Sequence, residues 1–352
     1  MSDQLLKSRP EAAAHRPAKS DPIQTAKAIT RAATADLRQA RPDTVAELLA
    51  RHTAPGWHWR GMHPFHEQTG AEAVAAAFWQ PFLSAFSRVQ RREDIFFAGD
   101  NSLAPGTWTV SMGHLMGLFD APFLGIPPHR RIAMLRYAEF HRIEGNRIVE
   151  TAFFCDLVHL MMQVGLRPLP PQSGAHLVQP GPMTHDGILV ARHDPAEGAK
   201  TLALIDAMCT AINNHTRFGG PEEELNAHWH DDMLWWGPAG IGATYTIERY
   251  ITQHQQPFRT RIRDRQFNGH ICRIGEGNYG GFFGWPNLSL RIERGYMGMT
   301  AGGMADMRVV DLYRRDGDKL AENWVFIDML HFLNMQGLDL LERMRTEGLG
   351  AP

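Results

Sequence analysis

Two aspartates that end apolar strands have the residue type and the setting that acid–base chemistry needs. Asp156 follows the run TAFFC, and Asp328 follows the run NWVFI. Side chains alternate along a strand, so Asp156 is predicted to share a face with Phe154, as Asp328 does with Phe326. If that face lines the interior of the domain, burial disfavours the ionised carboxyl and raises its pKa toward that of a useful general base.

The same aspartates also have a purely structural interpretation. Each stands where a strand passes into a helix, in the strings DLVH and DMLH, and aspartate is a favoured N-cap residue. A cap uses the carboxylate to accept the first free backbone N–H groups of the helix. The sequence leaves both alternatives open. For His159 and His331, in the first turn of each helix, it predicts no catalytic role.

Polar side chains on the neighbouring strand could assist such a base. His141 could donate a hydrogen bond to a developing oxyanion, and Tyr313 occupies the matching place later in the chain. Glu139 and Asp311 stand two residues earlier on the same two strands and therefore on the same faces. We predict that these two acidic side chains contribute to substrate binding.

Several tryptophans are candidates for the wall of a pocket for a flat or cyclic ligand. We assign Trp59, Trp235 and Trp324 to this wall, with a plain aromatic core as the equal alternative. His114, on the predicted strand TWTVSMGH, is a further candidate for substrate binding. A hydrogen-bonded core histidine is the competing interpretation of that residue.

These candidates occur twice because the chain contains an internal repeat. Residues 148–166 align without gaps to 320–338 with six identities in 19 positions, where chance gives about one. Upstream, 136–148 aligns to 308–320 at the same offset, and each stretch has the signature of a β-hairpin around a glycine turn. Each half repeats one order of elements: helices, a short strand with tryptophan, another helix, four strands and a closing helix.

This order predicts the α+β class, with a curved antiparallel sheet packed on helices in each half rather than a parallel βαβ fold. We expect a disordered tail over 1–20, a first domain over 21–166 and a second domain over 196–345. Between them, 167–195 is rich in Pro and Gly and is predicted to be an extended linker rather than packed structure.

Three features of the first half carry a family likeness: the string GLFDAPFLGIPPHRRI (117–132), the hairpin string EGNRIVE, and the strand that closes at Asp156. With them the chain resembles the SnoaL-like polyketide cyclase family, which belongs to the nuclear transport factor 2 and ketosteroid isomerase-like superfamily. The strings GYMGMTAGG (295–303) and DGDKLAENWVFID (316–328) form a weaker version in the second half. The resemblance implies two tandem cone-shaped domains, each a sheet on about three helices. It also implies cofactor-independent acid–base chemistry on a carbonyl compound: aldol cyclisation, isomerisation, dehydration or related lyase chemistry.

Carried over residue by residue, the resemblance implies catalytic roles for Asp156 with His141, and for Asp328 with Tyr313. The carboxylate would remove a proton next to a carbonyl, and the second group would steady the enolate. The first half keeps more of the family pattern, so we expect it to hold the working site. The alternatives are a non-catalytic small-molecule binding protein and an assembly module whose cones are filled by side chains.

Composition limits the partners. Lys+Arg 36 against Asp+Glu 38 gives a net charge of -2, which leaves no basic face for a nucleic acid. No apolar stretch reaches the ~18 residues of a membrane span. The cysteines, Cys155, Cys209 and Cys272, are far apart in the chain, so they predict neither a disulfide framework nor a metal site and suit the reducing cytoplasm.

We therefore expect a small-molecule carbonyl substrate, and neither a metal nor an organic cofactor. The run HPFHE (63–67) offers two imidazoles and a carboxylate, but its proline disfavours a helical ligand face and the second half has no counterpart. No nucleic acid and no membrane are expected as partners. The two domains are expected to pair within one chain as a pseudo-dimer, with a homo-oligomer of that unit left open.

Overall fold

The computed structural model describes residues 21–300 and 302–347. It contains two β-sheets, one in each half of the chain, and each sheet packs against helices. The fold class is therefore mixed α+β, as the sequence predicts. The tail predicted over 1–20 lies outside the described residues. Within the described part of the chain, no helix is both long and apolar enough to cross a membrane.

The first half opens with α1 (Pro22–Leu37) and α2 (Val45–His52). Asp21 caps α1, and its Oδ1 accepts the N–H of Ile23 at 3.0 Å. The elements that follow are β1 (Thr53–Gly61), β2 (Glu67–Thr69), α3 (Ala71–Val74), α4 (Gln80–Ala85), β3 (Phe86–Asp100), β4 (Thr107–Phe119), β5 (Ile132–Glu144), β6 (Arg147–Cys155) and α5 (Leu157–Gln163). The strands form one sheet in the order β2-β1-β6-β5-β4-β3, antiparallel except where β1 runs parallel to β6.

The second half repeats this order with one strand broken in two. Its elements are α6 (Pro195–Asn213), α7 (Pro221–Asn226), β7 (Trp229–Trp236), β8 (Ala243–Tyr245), α8 (Ile247–Tyr250), α9 (Gln256–Arg261), β9 (Ile262–Phe267), β10 (Cys272–Glu276), β11 (Tyr279–Ile292), β12 (Met304–Asp316), β13 (Lys319–Ile327), α10 (Met329–Met335) and α11 (Leu340–Glu347). The sheet order is β10-β11-β12-β13-β7-β8, and β9 pairs with the far end of β11. Here β7 and β13 form the parallel pair.

Irregular backbone features recur at corresponding places in the two halves. A π-helical turn, Ala75–Trp79, joins α3 to α4, and the turn Ile251–Gln255 joins α8 to α9. Early in the strand that follows, Arg88 has a left-handed backbone with φ of 54°, and so has Asp264 with φ of 54°. Such conformations cost about 1–3 kcal/mol each. Their recurrence shows that they belong to the repeated fold rather than to the side chains that now occupy it.

The two sheets pack against each other through an apolar layer. In this layer, Phe140 of β5 and Phe283 of β11 approach to 5.0 Å between ring centroids. Phe154 of β6 meets Trp285 at 5.4 Å in the same layer. The opposite face of each sheet packs on the helices of its own half. Along every central strand, alternate side chains therefore face either the other half or the interior of the cone.

The Pro/Gly-rich segment between α5 and α6 is packed against both halves, so the expectation of an unpacked linker is wrong. Leu189 is buried in the layer between the sheets, and its N–H donates to the carbonyl of Phe96 at 2.7 Å. Ala175 exchanges backbone hydrogen bonds with Ala243 of β8. The segment has no regular elements of its own, but several of its backbone groups form hydrogen bonds with strands of the two sheets.

Candidate active site

Asp156 lies at the N-cap of α5 and at the contact between the halves. Its Oδ1 accepts the N–H of His159 at 2.8 Å, and its Oδ2 accepts the N–H of Ala239 in the second half at 2.8 Å. The strand face that carries Asp156 does not line the cone, because Phe154 on that face belongs to the layer between the sheets. Phe153, on the alternate face, is the residue that points into the cone.

Asp328 repeats this arrangement at the N-cap of α10. Its Oδ1 accepts the N–H of His331 at 3.2 Å, and its Oδ2 accepts from the N–H of His63 at 2.9 Å and from Arg308 Nη1 at 3.3 Å. Burial raises the pKa of Asp328 to about 6, and these donors offset part of the rise. Trp324, which the sequence assigns to the wall of a pocket, lies on the same strand face and between the sheets, so it does not line the cone. Because both of its oxygens are engaged by donors, this carboxyl, like that of Asp156, is not placed to take a proton from a ligand in the cone.

His114 also lies on the face between the sheets, with Met112 of the apolar layer. It is 4 % exposed, and its Nδ1 is 3.4 Å from Oδ2 of Asp94. The expected contact with a substrate in the cone is therefore not available to this side chain. The competing interpretation, a core histidine, fits this position.

Aromatic side chains fill the cone of the first half. Trp59 stacks on Phe153 at 5.6 Å between ring centroids, and Phe153 contacts Phe78 at 4.5 Å. Phe82 stacks on Phe78 at 5.5 Å, and Phe123 packs against Phe82 at 5.9 Å. All five rings are buried. At the packing density of a protein core, these rings occupy the space that a ligand would need.

The polar residues of this cone form a buried ion pair. Arg91 donates to Glu139 Oε2, and its guanidinium lies 4.5 Å from the centroid of the Tyr137 ring. His141 Nε2 is 3.6 Å from Glu139 Oε2, and its Nδ1 is 2.9 Å from Oγ1 of Thr151. Although burial opposes ionisation, Arg91 and His141 hold the pKa of Glu139 at about 2. This acid is therefore fixed in its ionised form and is too weak a base for proton abstraction.

The cone of the second half is open. It holds a cavity of about 210 Å³ between the sheet and the helices α6, α8 and α9. This volume is below the ~300–1,000 Å³ of usual ligand pockets, which favours a compact ligand. The aromatic part of the lining consists of Trp229, Trp235, Tyr250, His254, Phe258, Phe267, His270, Phe282 and Tyr313. Trp235 therefore lies where the sequence placed it, in the wall of a pocket.

Asp311 and Tyr313 lie two residues apart on β12, and both line this cavity. Asn323 Nδ2 donates to Asp311 Oδ1 at 3.3 Å. Burial raises the pKa of Asp311 to about 6, and hydrogen bonds from Asn323 and Tyr313 offset part of the rise. Burial also raises the pKa of Tyr313 well above its usual value, so its phenol stays protonated. The cavity thus places a carboxyl that titrates near neutral pH beside a hydrogen-bond donor.

Phe267 occupies the position in the second sheet that Arg91 occupies in the first. Arg91 pairs with Leu115 across β3 and β4, and Phe267 pairs with Leu288 at the matching point of β9 and β11. An aromatic ring therefore replaces the cation that binds the acid of the first half. Among the described residues, no cation contributes to the pKa of Asp311, so desolvation dominates it.

The residues of this cavity that the sequence does not predict include Tyr250, His254 and Asn323. His254 stacks on Trp235 at 4.0 Å between ring centroids, and burial lowers its pKa to about 3. The imidazole is therefore neutral, and its buried Nδ1 has no hydrogen-bond partner within the described part of the chain. Asn323 lies directly opposite Tyr313, but only beyond the register shift between Arg314 and Arg315, which the sequence does not reveal. Tyr250 and His254 lie on a helix whose contacts no local pattern reveals.

No group of three or more His, Cys, Asp or Glu side chains is placed to hold a metal ion in the described ranges 21–300 and 302–347. Cys209 lines the cavity, but burial raises the pKa of its thiol to about 12. Burial also raises the pKa values of Cys155 and Cys272 well above their usual range. These thiols are not activated for nucleophilic chemistry, so the ionisable groups of interest in the cavity are Asp311 and its neighbours.

Solved structures similar to this chain include a protein described as a SnoaL-like polyketide cyclase from Jannaschia, with 20 % identity and a TM-score of 0.33 over 41 % of this chain and 94 % of its own length. A nuclear transport factor 2-like protein from Burkholderia xenovorans is 11 % identical, with a TM-score of 0.32 over 40 % of this chain and 97 % of its own. An epoxide hydrolase of the LEH-like type from M. tuberculosis is 11 % identical, with a TM-score of 0.30 over 42 % of this chain and 98 % of its own. No protein-family profile and no curated protein sequence matches the chain. At these identities and scores, the likeness assigns no reaction.

Proposed function

We propose that the second half is a small-molecule acid–base enzyme in which Asp311 removes a proton from a carbon next to a substrate carbonyl. The observation that carries this proposal is a carboxyl of pKa about 6 beside a protonated phenol in an aromatic cavity. Near neutral pH such a carboxyl is mostly ionised, yet it is a stronger base than an ordinary aspartate. The proposal moves the working site from the first half, where the family pattern is fuller, to the second.

In this reaction the C–H bond breaks, its electron pair forms the C=C bond of an enolate, and the proton moves to the carboxylate of Asp311. Negative charge then develops on the carbonyl oxygen, where the hydroxyl of Tyr313 or Tyr250 donates a hydrogen bond. Asp311 afterwards returns the proton. In an isomerisation, the carboxyl transfers this proton to a different carbon. In an aldol reaction, the enolate attacks a second carbonyl and the proton goes to the new alkoxide oxygen.

The cavity also limits the substrate. A volume of about 210 Å³ admits a compact molecule, and stacked aromatic walls such as the pair Trp235 and His254 favour a flat or cyclic one. The desolvation that raises the pKa of Asp311 also strengthens a hydrogen bond to the enolate oxygen beside it. Small cyclic ketones and β-keto esters therefore fit the site by size, shape and chemistry.

The test is deuterium uptake next to the carbonyl of such probes in heavy water, followed by mass spectrometry. Asp311→Asn removes the base and is expected to slow exchange by about 100-fold or more. Asp316→Asn is the matched control, because this exposed residue on the same strand lies outside the cavity, and its exchange should equal that of the wild type.

Unchanged exchange in Asp311→Asn would contradict the assignment of the base. If the wild type binds the probes but exchanges no proton with any of them, the second half is a binding module and the enzymatic proposal is wrong.

A further inference from the structure

A second concave site lies in the first half, beside its filled cone, and Arg91 belongs to both. It is a cleft of about 460 Å³ bounded by the end of α1, the loop before α2 and the start of β3. Its apolar floor consists of Trp79, Leu83, Phe86, Val89 and Leu115. Its rim consists of Arg38, Arg41 and Arg88, and the buried side chain of Arg91 also lines it. The cleft shares no residue with the cavity of the second half.

The charge of this rim is only partly balanced. The lining contains four arginines and no aspartate or glutamate. Arg91 is paired with the buried Glu139, and Arg41 Nε is 3.2 Å from Asp43 outside the cleft. Arg38 and Arg88 are exposed, and neither forms an ion pair within residues 21–300 and 302–347. The cleft thus carries two uncompensated cations on a protein whose net charge is -2.

The position of Arg88 shows that this charge is particular to the first half. Arg88 sits on a left-handed bulge that the second half repeats at Asp264. Asp264 is paired there with Arg291 on the neighbouring strand, with 3.1 Å between Oδ2 and Nε. The bulge is common to both halves, whereas an unpaired cation beside an apolar floor, Arg88, occurs in the first half.

We propose that this cleft binds an organic anion, a small molecule with an apolar body and one carboxylate or phosphate group. The apolar body would rest on Trp79, Phe86 and Leu115, and the anionic group would bind the guanidinium groups of Arg38 and Arg88. Guanidinium groups bind both kinds of anion through paired hydrogen bonds. The cleft volume lies within the range of small-molecule sites. This site is independent of the proposed chemistry in the second half.

The test uses three probes with the same chain: decanoate, decyl phosphate and decanol, titrated calorimetrically below their aggregation concentrations. We expect at least one of the anions to bind about ten times more tightly than decanol, with an affinity that falls as salt is added. The tighter anion identifies the head group. The double variant Arg38→Gln/Arg88→Gln should bind that anion no more tightly than decanol.

Two further variants establish whether the anion binds in this cleft or elsewhere on the protein. Arg51→Gln removes an exposed arginine of α2 that is paired with Glu47 and should leave the anion affinity unchanged. Val325→Phe, which fills the cavity of the second half, should also leave it unchanged.

Equal affinity for anion and alcohol would overturn the proposal, as would unaltered binding in the double variant. Binding that disappears in Val325→Phe would place the probe in the second half and would also overturn it. Melting temperatures of all variants, measured without ligand, show whether each is folded.

Discussion

The two halves place an acid at the same point of the same sheet, but its surroundings differ. Glu139 lies opposite Phe153 in the first sheet, and Asp311 lies opposite Val325 in the second. Phenylalanine fills the first cone, and valine leaves room in the second. In addition, Phe267 replaces the cation Arg91. The pKa of Glu139 is about 2, whereas that of Asp311 is about 6. A few side-chain exchanges on the same backbone thus decide whether the cone is a filled core or holds a pocket.

The largest effect is expected from making the second cone resemble the first. Val325→Phe adds a ring opposite Asp311 and should fill the cavity. We expect proton exchange and probe binding to fall about 100-fold or more, because the ligand loses its space while the fold keeps a larger core. Val325→Ile is the conservative control and should retain much of the activity. Full activity in the phenylalanine variant would show that chemistry takes place elsewhere.

The second-largest effect is expected at Asp328, in the contact between the two halves. Asp328→Asn keeps an acceptor for the helix cap but turns an amide donor toward the N–H of His63 and the guanidinium of Arg308. We expect a loss of about 2–3 kcal/mol in the free energy of unfolding, measured by urea denaturation. The exchange rate of the folded protein should stay at the wild-type value. Exchange that is lost with stability intact would restore this aspartate as the base.

Opening the first cone should cost stability without creating activity. Phe153→Val removes a buried ring from the contacts with Trp59 and Phe78. A loss of about 2 kcal/mol in the free energy of unfolding is expected, with no change in the exchange rate. The opened cone should remain inactive because Arg91 still holds the pKa of Glu139 low. New exchange that survives Asp311→Asn would show that cone volume alone decides function.

The smallest effect comes from restoring the missing cation. In the wild type, exchange needs ionised Asp311, so its rate should rise with pH through about 6 and then level off. Phe267→Arg should lower the pKa of Asp311, move this rise to lower pH and reduce the plateau about 10-fold, since the weaker base abstracts protons more slowly. Phe267→Leu should leave the midpoint unchanged. An unshifted midpoint in the arginine variant would show that residue 267 does not face the carboxyl.

The sequence predicts the repeat, the α+β class, the order of elements and the two acid-bearing strands, because these follow from periodicity and turn residues. It does not predict which face of the closing strand lines the cone, and the reason is a local change of register. The register shifts by one residue between Arg142 and Ile143, and again between Arg314 and Arg315. Such a bulge leaves one residue unpaired and turns every later side chain to the opposite face. Regular pairing from the hairpin turn onward would place Asp156 on the face of His141, whereas the shifted register places it on the opposite face.

The open half could not be predicted for the same reason. In the alignment, Phe153 against Val325 is an ordinary exchange of one apolar residue for another. Only the three-dimensional register shows that this pair lies beside the acids. Likewise, the replacement of Arg91 by Phe267 depends on pairing across the sheet. The family resemblance favours the first half as the working site, because the loops of that half match more of the family motif. The volume of the cavity, in contrast, depends on side chains deep in the cone.

The contacts between the halves have a consequence for biosynthesis. Buried Arg136 of the first half donates to the carbonyls of Trp236 and Val325, which are translated about 100 and 189 residues later. The Oδ2 of Asp156 likewise lacks the N–H of Ala239 until that residue has been made. Until the second half emerges from the ribosome, the first presents an uncovered apolar sheet face. Unlike independent tandem domains, a nascent first half is therefore expected to be prone to aggregation until its partner arrives.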